Sequence, residues 1–212
     1  MQIAQHIMPN GMSAKGEFCF AITELIKGRK LKKIIETGCY LGEGTTKAIA
    51  DALIGDEIVY SIEVNPKYYE VARKKYRDTC INFVLGLSIP RPSLPIDMTF
   101  DVPDSIIVDH LDHNRNELYK KEVNFRVRDM MLHYALEKMQ FQPDLVILDS
   151  AGHIGFIEFL ELMKYAEAPF YLALDDTKHI KHYQSVQWLE QYNFERIFVT
   201  DEGFGSAIYH IK

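Results

Sequence analysis

The chain of 212 residues is 47% hydrophobic and 25% charged, which is the composition of an ordinary folded protein and excludes a disordered one. Its formal net charge of -6 disfavours nucleic acid as a partner, and its longest apolar runs are far shorter than the roughly 20 residues that a membrane span needs. Three scattered cysteines, with no C-x-x-C pair and no apolar signal segment, favour the reducing cytoplasm.

Short β-branched runs alternate with amphipathic stretches, which predicts parallel strands joined by helices in a single α/β domain over residues 1–212. Asn65 and Pro66 mark one helix start clearly, as a cap followed by a proline in the first turn. The predicted elements are helix 13–28, strand 33–37, helix 45–53, strand 57–63, helix 66–77, strand 81–85, strand 145–148, helix 154–165, strand 170–174 and helix 179–191.

The chain then closes with two strands, 195–200 and 206–211, whose short connection predicts an antiparallel hairpin. Residues 89–142, between the third and fourth strands, are too long for a simple crossover and are interpreted as an inserted cap. A Met and aromatic stripe from Tyr119 to Tyr134 predicts a long helix there, which either packs in the core or faces the substrate as a lid. The sequence Asp-His-Leu-Asp-His at 109–113 is interpreted as a solvated loop, because it lacks the spacing of zinc motifs.

The first strand leads into a glycine-rich segment, E-T-G-C-Y-L-G-E-G-T-T at 36–46, and then into a helix. Glycines let a ligand approach the backbone closely, but the spacing matches neither the P-loop nor the G-x-G-x-x-G dinucleotide motif. The pattern E-x-G-x-x-x-G-x-G instead resembles the first motif of the class I S-adenosylmethionine-dependent methyltransferases. The resemblance implies that S-adenosylmethionine (SAM) is bound by Glu36, Gly38, Tyr40, Gly42, Gly44 and Thr45.

Glu63 ends the second predicted strand, where a carboxylate can accept hydrogen bonds from both ribose hydroxyls of SAM. The alternative is that Glu63 only caps the neighbouring helix. Ser88 follows the third strand, where methyltransferases often carry an acidic residue near the adenine, and is a weak substitute for it. The resemblance also implies the fold: a Rossmann-like doubly wound sheet of strand order 3-2-1-4-5-7-6 with a C-terminal hairpin.

Asp149 ends the fourth predicted strand, and Asp175 and Asp176 end the fifth. In this strand order the two strands are neighbours, about 4.8 Å apart, so the three carboxylates share a crevice and require either protons or a cation. The chain here resembles metal-dependent O-methyltransferases, including those similar to macrocin O-methyltransferases and the cephalosporin hydroxylase group. This implies Mg²⁺ bound by Asp149, Asp175 and Asp176, with Asp149 also near SAM. The alternative is that the aspartates cap the following helices.

A histidine follows soon after the aspartate of the fourth strand in these relatives, and here His153 follows Asp149. Histidine is well suited to remove a hydroxyl proton near neutral pH, so His153 and Asp149 are the predicted catalytic residues. His179 and His182 are weaker candidates for the same base.

The predicted function is therefore methyl transfer from SAM to an oxygen of a small hydroxylated acceptor, such as a sugar or a natural product, with help from magnesium. Two alternatives stay open at this point. One is a hydroxylase-like enzyme on the same fold, which would need a 2-His-1-carboxylate iron site. The other is a non-catalytic module that binds SAM. A homo-oligomer is compatible with the sequence. The sequence does not identify the methyl acceptor.

Overall fold

The computed structural model describes residues 16–94, 103, 105–106, 115–150 and 154–212. Its centre is a seven-stranded sheet of order β3-β2-β1-β4-β5-β7-β6. Strands β1 to β5 are parallel, while β7 runs antiparallel to both β5 and β6, which confirms the predicted order and hairpin. The strands are β1 (Lys33–Thr37), β2 (Ile58–Glu63), β3 (Ile81–Leu85), β4 (Leu145–Leu148), β5 (Phe170–Asp175), β6 (Glu195–Thr200) and β7 (Ser206–Ile211).

Seven α-helices are present among the described residues, and none of them has the length and hydrophobicity needed to cross a bilayer. The helix after the glycine-rich segment ends before the predicted residue 53, and the last helix starts after the predicted residue 179. The helices are α1 (Glu17–Arg29), α2 (Thr45–Ala50), α3 (Pro66–Lys75), α4 (Arg115–Val123), α5 (Met131–Lys138), α6 (Gly155–Tyr165) and α7 (Tyr183–Gln191).

The core is divided into two layers by the sheet, because successive side chains of a strand point to opposite faces. On one face, Val146 and Leu148 of β4 pack in a cluster with residues of α5, α6 and α7. On the other face, Leu145 and Ile147 pack in a cluster with residues of α1 and α2. All four β4 side chains are buried, so the strand that leads to Asp149 is held rigidly on both sides.

The prediction of a long helix in the inserted segment is wrong. Two helices, α4 and α5, stand there, separated by the non-helical residues 124–130, and the last of these, Met130, has a left-handed backbone at φ 60° and directly precedes α5. Helix α5 buries Leu132 and Leu136 in the core against the sheet, so this end of the insertion is the ordinary crossover helix before β4. Tyr119 of α4 packs with Ile89 in a smaller cluster, which agrees with the packing interpretation of the stripe. Residues 109–113 lie outside the described residues.

Candidate functional site

Gly38 is the first turn residue after β1, and its backbone has φ +77°, a conformation that L side chains rarely adopt. A Cβ atom at this position would lie 2.3 Å from the carbonyl oxygen of Asp149. The Gly38 N–H donates to the Ile62 carbonyl at 2.8 Å. The turn after β1 is therefore pressed directly against the ends of β2 and β4, and only glycine fits there.

Gly42 lies further along the same loop with φ +71°, and a Cβ atom there would lie 2.8 Å from a ring carbon of Tyr76. The Tyr76 hydroxyl donates to the Gly42 carbonyl at 2.6 Å. Tyr40 also has a positive φ of 50°, and Gly44 precedes the first residue of α2. The Tyr76 side chain, which directly follows α3, therefore packs against the loop and fixes its path.

Glu36 is fully buried and holds the loop rather than facing out of it. Its carboxylate accepts hydrogen bonds from the hydroxyls of Thr45 at 2.6 Å, Thr46 at 2.9 Å and Ser61 at 2.5 Å. Burial raises the pKa of Glu36, while these three hydroxyls favour its charged form. We therefore assign Glu36 and Thr45 to anchoring the start of α2 on β1 and β2.

Glu63 occupies the end of β2, beside the loop. Its Oε2 accepts from the backbone N–H of Tyr40 at 2.9 Å, and its Oε1 accepts from the N–H of Asn65 at 2.8 Å. Asn65 itself caps α3, since its Oδ1 accepts from the Lys67 N–H at 3.0 Å, so Glu63 is not the helix cap. The Cys39 thiol also lies 3.8 Å from Glu63 Oε2. Because a carboxylate has about four acceptor positions, capacity for a further donor such as a hydroxyl group is left.

A second buried carboxyl, Glu122 of α4, lies near Glu63 and was missed by the sequence reasoning. Burial raises the pKa of Glu63 to about 7. Burial and then the charge of Glu63 raise the pKa of Glu122 to about 7 as well. The inserted segment therefore brings an ionisable group to the end of β2. No motif marks this residue, because its burial depends on how α4 packs.

The three predicted aspartates do meet at the ends of β4 and β5, and Lys181 lies among them. Its Nζ atom is 2.6 Å from Asp149 Oδ1, 3.2 Å from Asp176 Oδ2 and 3.4 Å from Asp175 Oδ2. The Lys181 side chain is 3% exposed, whereas those of the three aspartates are 15 to 16% exposed. The Lys181 side chain is therefore more deeply buried than the three aspartates, which stay partly accessible to solvent.

The predicted Mg²⁺ on Asp149, Asp175 and Asp176 does not fit this arrangement. An ammonium group has three N–H donors, and here each of three carboxylates lies within reach of it. Within the described ranges, no group of three or more His, Cys, Asp and Glu side chains is placed to hold a metal ion. The sequence predicted that these carboxylates require either protons or a cation, and the chain supplies a cation itself through Lys181.

Neutral hydroxyls complete the cluster. Ser206 of β7 donates to Asp175 Oδ1 at 2.9 Å, and Thr45 lies 3.5 Å from Asp149 Oδ2. Burial raises the pKa of Asp149 and of Asp175, and Lys181 partly opposes this. Burial alone would lower the pKa of Lys181, but the surrounding carboxylates raise it above its ordinary value, so Lys181 stays charged. One permanent cation thus faces three carboxyl groups.

The alternative that these aspartates cap helices does not match the structure. Helix α6 begins at Gly155 and is preceded by Ile154, without a side-chain cap. Helix α7 begins at Tyr183, well after Asp176, and is preceded by His182. Asp176 instead has a left-handed backbone at φ 57°, and its carbonyl accepts from the His179 N–H at 3.1 Å.

The histidines have structural positions where they are described. His182 is fully buried, with Nε2 3.1 Å from the Leu148 carbonyl and Nδ1 3.2 Å from the Ser185 hydroxyl. Burial lowers its pKa to about 3, so it is neutral and both ring nitrogens are engaged. His179 is also buried, and its Nδ1 accepts from the Lys181 N–H at 3.1 Å. Neither is placed as a base or as an iron ligand, and His153 lies outside the described residues.

Glu158 is a further buried carboxylate that the sequence reasoning overlooked. It lies on the core-facing side of α6 and accepts from the hydroxyls of Thr37 at 3.1 Å and Ser150 at 2.7 Å. An acidic residue at an apolar position of an amphipathic helix is a signal that could have found it. Ser88 is buried on the loop after β3, and its carbonyl accepts from the Leu132 N–H at 3.0 Å. Its predicted place near an adenine stays a prediction.

A seven-stranded sheet of this order with a C-terminal antiparallel hairpin is the Rossmann-like fold of solved methyltransferase structures. The resemblance inferred from the motifs is therefore confirmed at the level of the fold. No family model matches the sequence, and no curated protein matches it.

Solved structures share this fold at low sequence identity. An O-methyltransferase from Bacillus cereus in complex with SAH is 13% identical, covers 92% of this chain and 80% of its own, and has a TM-score of 0.54. TomG from Streptomyces achromogenes, an O-methyltransferase involved in tomaymycin synthesis and in complex with SAM, is 13% identical over 92% and 79%, with a TM-score of 0.54. A methyltransferase from Geobacter sulfurreducens is 12% identical over 93% and 79%, with a TM-score of 0.57.

Proposed function

We propose that the protein is a SAM-dependent methyltransferase that methylates an oxygen of a small hydroxylated acceptor, such as a sugar or a natural product. The observation that carries this proposal is the contact between Glu63 and the N–H of Tyr40. It places a carboxylate with spare acceptor capacity beside the glycine loop, at the carboxyl edge of a sheet whose fold is shared with SAM-bound and SAH-bound O-methyltransferases.

The residues of the loop fit such a cofactor. Gly38 and Gly42 let the loop turn closely against the backbone of Asp149 and the ring of Tyr76, and the buried Glu36 holds the loop through Thr45. In the proposal, Glu63 accepts hydrogen bonds from the ribose hydroxyls of SAM, and Ser88 lies near its adenine ring. SAM would supply an electrophilic methyl group next to a leaving sulfide, so the protein has to align an acceptor oxygen with it and remove one proton.

Asp149 is our candidate for the group that takes this proton. The Asp149 side chain is partly accessible, at 16% exposure, so an acceptor can reach it. Its partial burial raises its pKa, which makes it a better base than an ordinary aspartate. The ammonium of Lys181 holds Asp149 in place from below at 2.6 Å. The proton would leave the acceptor hydroxyl as the new oxygen–carbon bond forms. His153 is kept as an alternative base from the sequence.

Calorimetric titration of SAM and of SAH tests the donor site. We expect binding by the unmodified protein and an affinity at least about tenfold weaker in Glu63→Gln, equal to about 1.4 kcal/mol. Glu57→Gln is the matched control, because Glu57 is a buried glutamate at the other end of β2 that accepts from the backbone N–H groups of Ile54 and Gly55. Absence of binding by the unmodified protein would overturn the proposal.

Formation of SAH with a panel of sugars, phenols and other hydroxylated compounds then tests the reaction. A turnover that Asp149→Asn abolishes while SAM binding persists is the expected result. SAM binding with no transfer to any acceptor, in the presence or absence of divalent ions, would instead support the non-catalytic binding module.

A further inference from the structure

We propose that Lys181 replaces the divalent metal at this site, so that the protein holds its three edge carboxylates together and functions without a bound metal ion. The sequence motifs resemble those of metal-dependent O-methyltransferases. The residues that surround Asp149 in the described part of the chain, however, do not fit a metal ion. This inference concerns the same edge of the sheet as the proposed function. Its test measures metal binding and is therefore independent of methyl transfer.

The first argument is the position of the ammonium group. Lys181 Nζ lies within 3.4 Å of an oxygen of Asp149, Asp175 and Asp176. It therefore occupies the space between the ends of β4 and β5, where an ion bridging the three carboxylates would have to bind. A divalent ion added there would lie against a fixed positive charge, which is electrostatically unfavourable.

The second argument is that Lys181 is held in place and is not a mobile surface side chain. A Cβ atom on Gly155, the first residue of α6, would lie 2.4 Å from the Lys181 carbonyl oxygen and 2.8 Å from its Cγ. The Lys181 N–H donates to His179, and the next residue, His182, is bonded to the carbonyl at the end of β4. Backbone and side-chain stem are thus enclosed on several sides.

The three aspartates are more accessible to solvent than Lys181 is. The aspartate side chains are five times as exposed as that of Lys181, at 15 to 16% against 3%. A substrate or an ion arriving from solvent therefore meets carboxylate oxygens whose inner partner is already present. For an ion to take all three carboxylates, the ammonium of the buried Lys181 would have to give up these partners, and the cost of leaving a buried charge unpaired opposes this.

Titration with Mn²⁺, followed by the electron paramagnetic resonance signal of the free ion, tests the proposal on the full chain. We expect no stoichiometric binding by the unmodified protein. In Lys181→Ala the three carboxylates lose their cation, so one Mn²⁺ should bind, with an affinity at least about tenfold above that of the unmodified protein. Adding Asp149→Asn to Lys181→Ala should remove this binding.

Lys178→Ala is the matched control. Lys178 is on the same connection between β5 and α7, but it is half exposed and pairs with Asp201 at 2.7 Å. Its replacement should leave Mn²⁺ binding unchanged. If the unmodified protein binds one Mn²⁺ tightly and Asp149→Asn abolishes that binding, the proposal is wrong and the lysine yields to a metal.

Chemical acetylation read by mass spectrometry supplies a measurement that needs no variant. Lys181 should be protected and Lys178 labelled rapidly, both with and without Mg²⁺. Rapid labelling of Lys181 when Mg²⁺ is added would mean that the ion displaces it, which would overturn the proposal even if Lys181→Ala failed to fold.

Discussion

The ammonium of Lys181 lies 2.6 Å from a carboxylate oxygen of Asp149 and connects the segment before α7 to the end of β4. The two residues are far apart in sequence, and the contact exists only because β4 and β5 are neighbours in the sheet. It makes a cluster of three aspartates stable without an external ion. The more deeply buried Lys181 supplies the positive charge, while the aspartates stay partly accessible to solvent.

Removal of this cation should destabilise the fold. Lys181→Met removes a buried charge and leaves the three partly buried carboxyl groups without their counter-charge, so we expect the free energy of unfolding to fall by about 3–5 kcal/mol at neutral pH. The loss should be smaller in acid, where protons neutralise the carboxylates. Urea unfolding at two pH values measures both effects. Lys178→Met, which removes an exposed ion pair, should cost less than about 1 kcal/mol. Equal losses for the two variants would contradict the buried role of Lys181.

The buried carboxyls near the loop should make stability fall as pH rises. Burial raises the pKa of Glu63 from 4.5 to about 7, so the folded state keeps a proton that the unfolded state has released. By linkage, the contribution of Glu63 to the free energy of unfolding is fully present below pH 4.5 and is lost as the pH rises to about 7. The loss is on the order of 3 kcal/mol for this one group. Glu122 adds to the same trend.

Glu63→Gln should therefore flatten this pH dependence, leaving the part due to Glu122. Thermal unfolding in a pH series is the measurement. In Glu57→Gln the slope over the same window should be unchanged, because backbone N–H donors lower the pKa of Glu57 despite its burial and move its effect to more acid pH. A profile in Glu63→Gln identical to that of the unmodified protein would show that Glu63 does not titrate differently on folding.

Gly38→Ala should disrupt the loop. The new Cβ would lie 2.3 Å from the Asp149 carbonyl, and the φ of +77° is strained for alanine, so we expect a loss of at least about 2 kcal/mol together with loss of SAM binding. Gly28→Ala is the opposite case, since Gly28 lies in α1 and a Cβ atom added there would have nothing within 4 Å. It should stabilise the protein by up to about 1 kcal/mol. Denaturant unfolding of the two variants compares them directly.

His182 should remain neutral in the folded protein. Its pKa is lowered by burial from 6.5 to about 3, so its imidazole resonances should not titrate across the neutral range, whereas in the urea-unfolded chain they should titrate near 6.5. Because the folded state excludes this proton, His182 lowers stability as the pH falls below 6.5. Nuclear magnetic resonance of the ring nitrogens checks this, and a titration near neutral pH in the folded state would restore His182 as a candidate base.

The fold was accessible from the sequence because its signals are local. Alternating strands and helices, the glycine turn at Gly38, the cap at Asn65 and the closing hairpin each depend on neighbouring residues. The strand order that the structure has was implied by the resemblance of the glycine-rich motif to class I methyltransferases. The inserted segment was predicted less well. Helical periodicity continues from Tyr119 to Tyr134, but α4 ends at Val123 and residues 124–130 are not helical, and a pattern of apolar residues carries no information about such a break.

The sequence by itself placed acidic residues at the ends of two strands, Asp149 after one and Asp175 and Asp176 after the other. With the strand order implied by the resemblance, this predicted a shared crevice that requires either protons or a cation. Only the tertiary structure decided which cation is present, because Lys181 reaches the cluster through the turn after β5, and nothing in its local sequence separates a buried ammonium from a solvated one. The same holds for Glu122, whose burial depends on how α4 packs. The charge balance of the site is a property of distances between residues that are remote in sequence, and electrostatic energies depend on those distances and on burial.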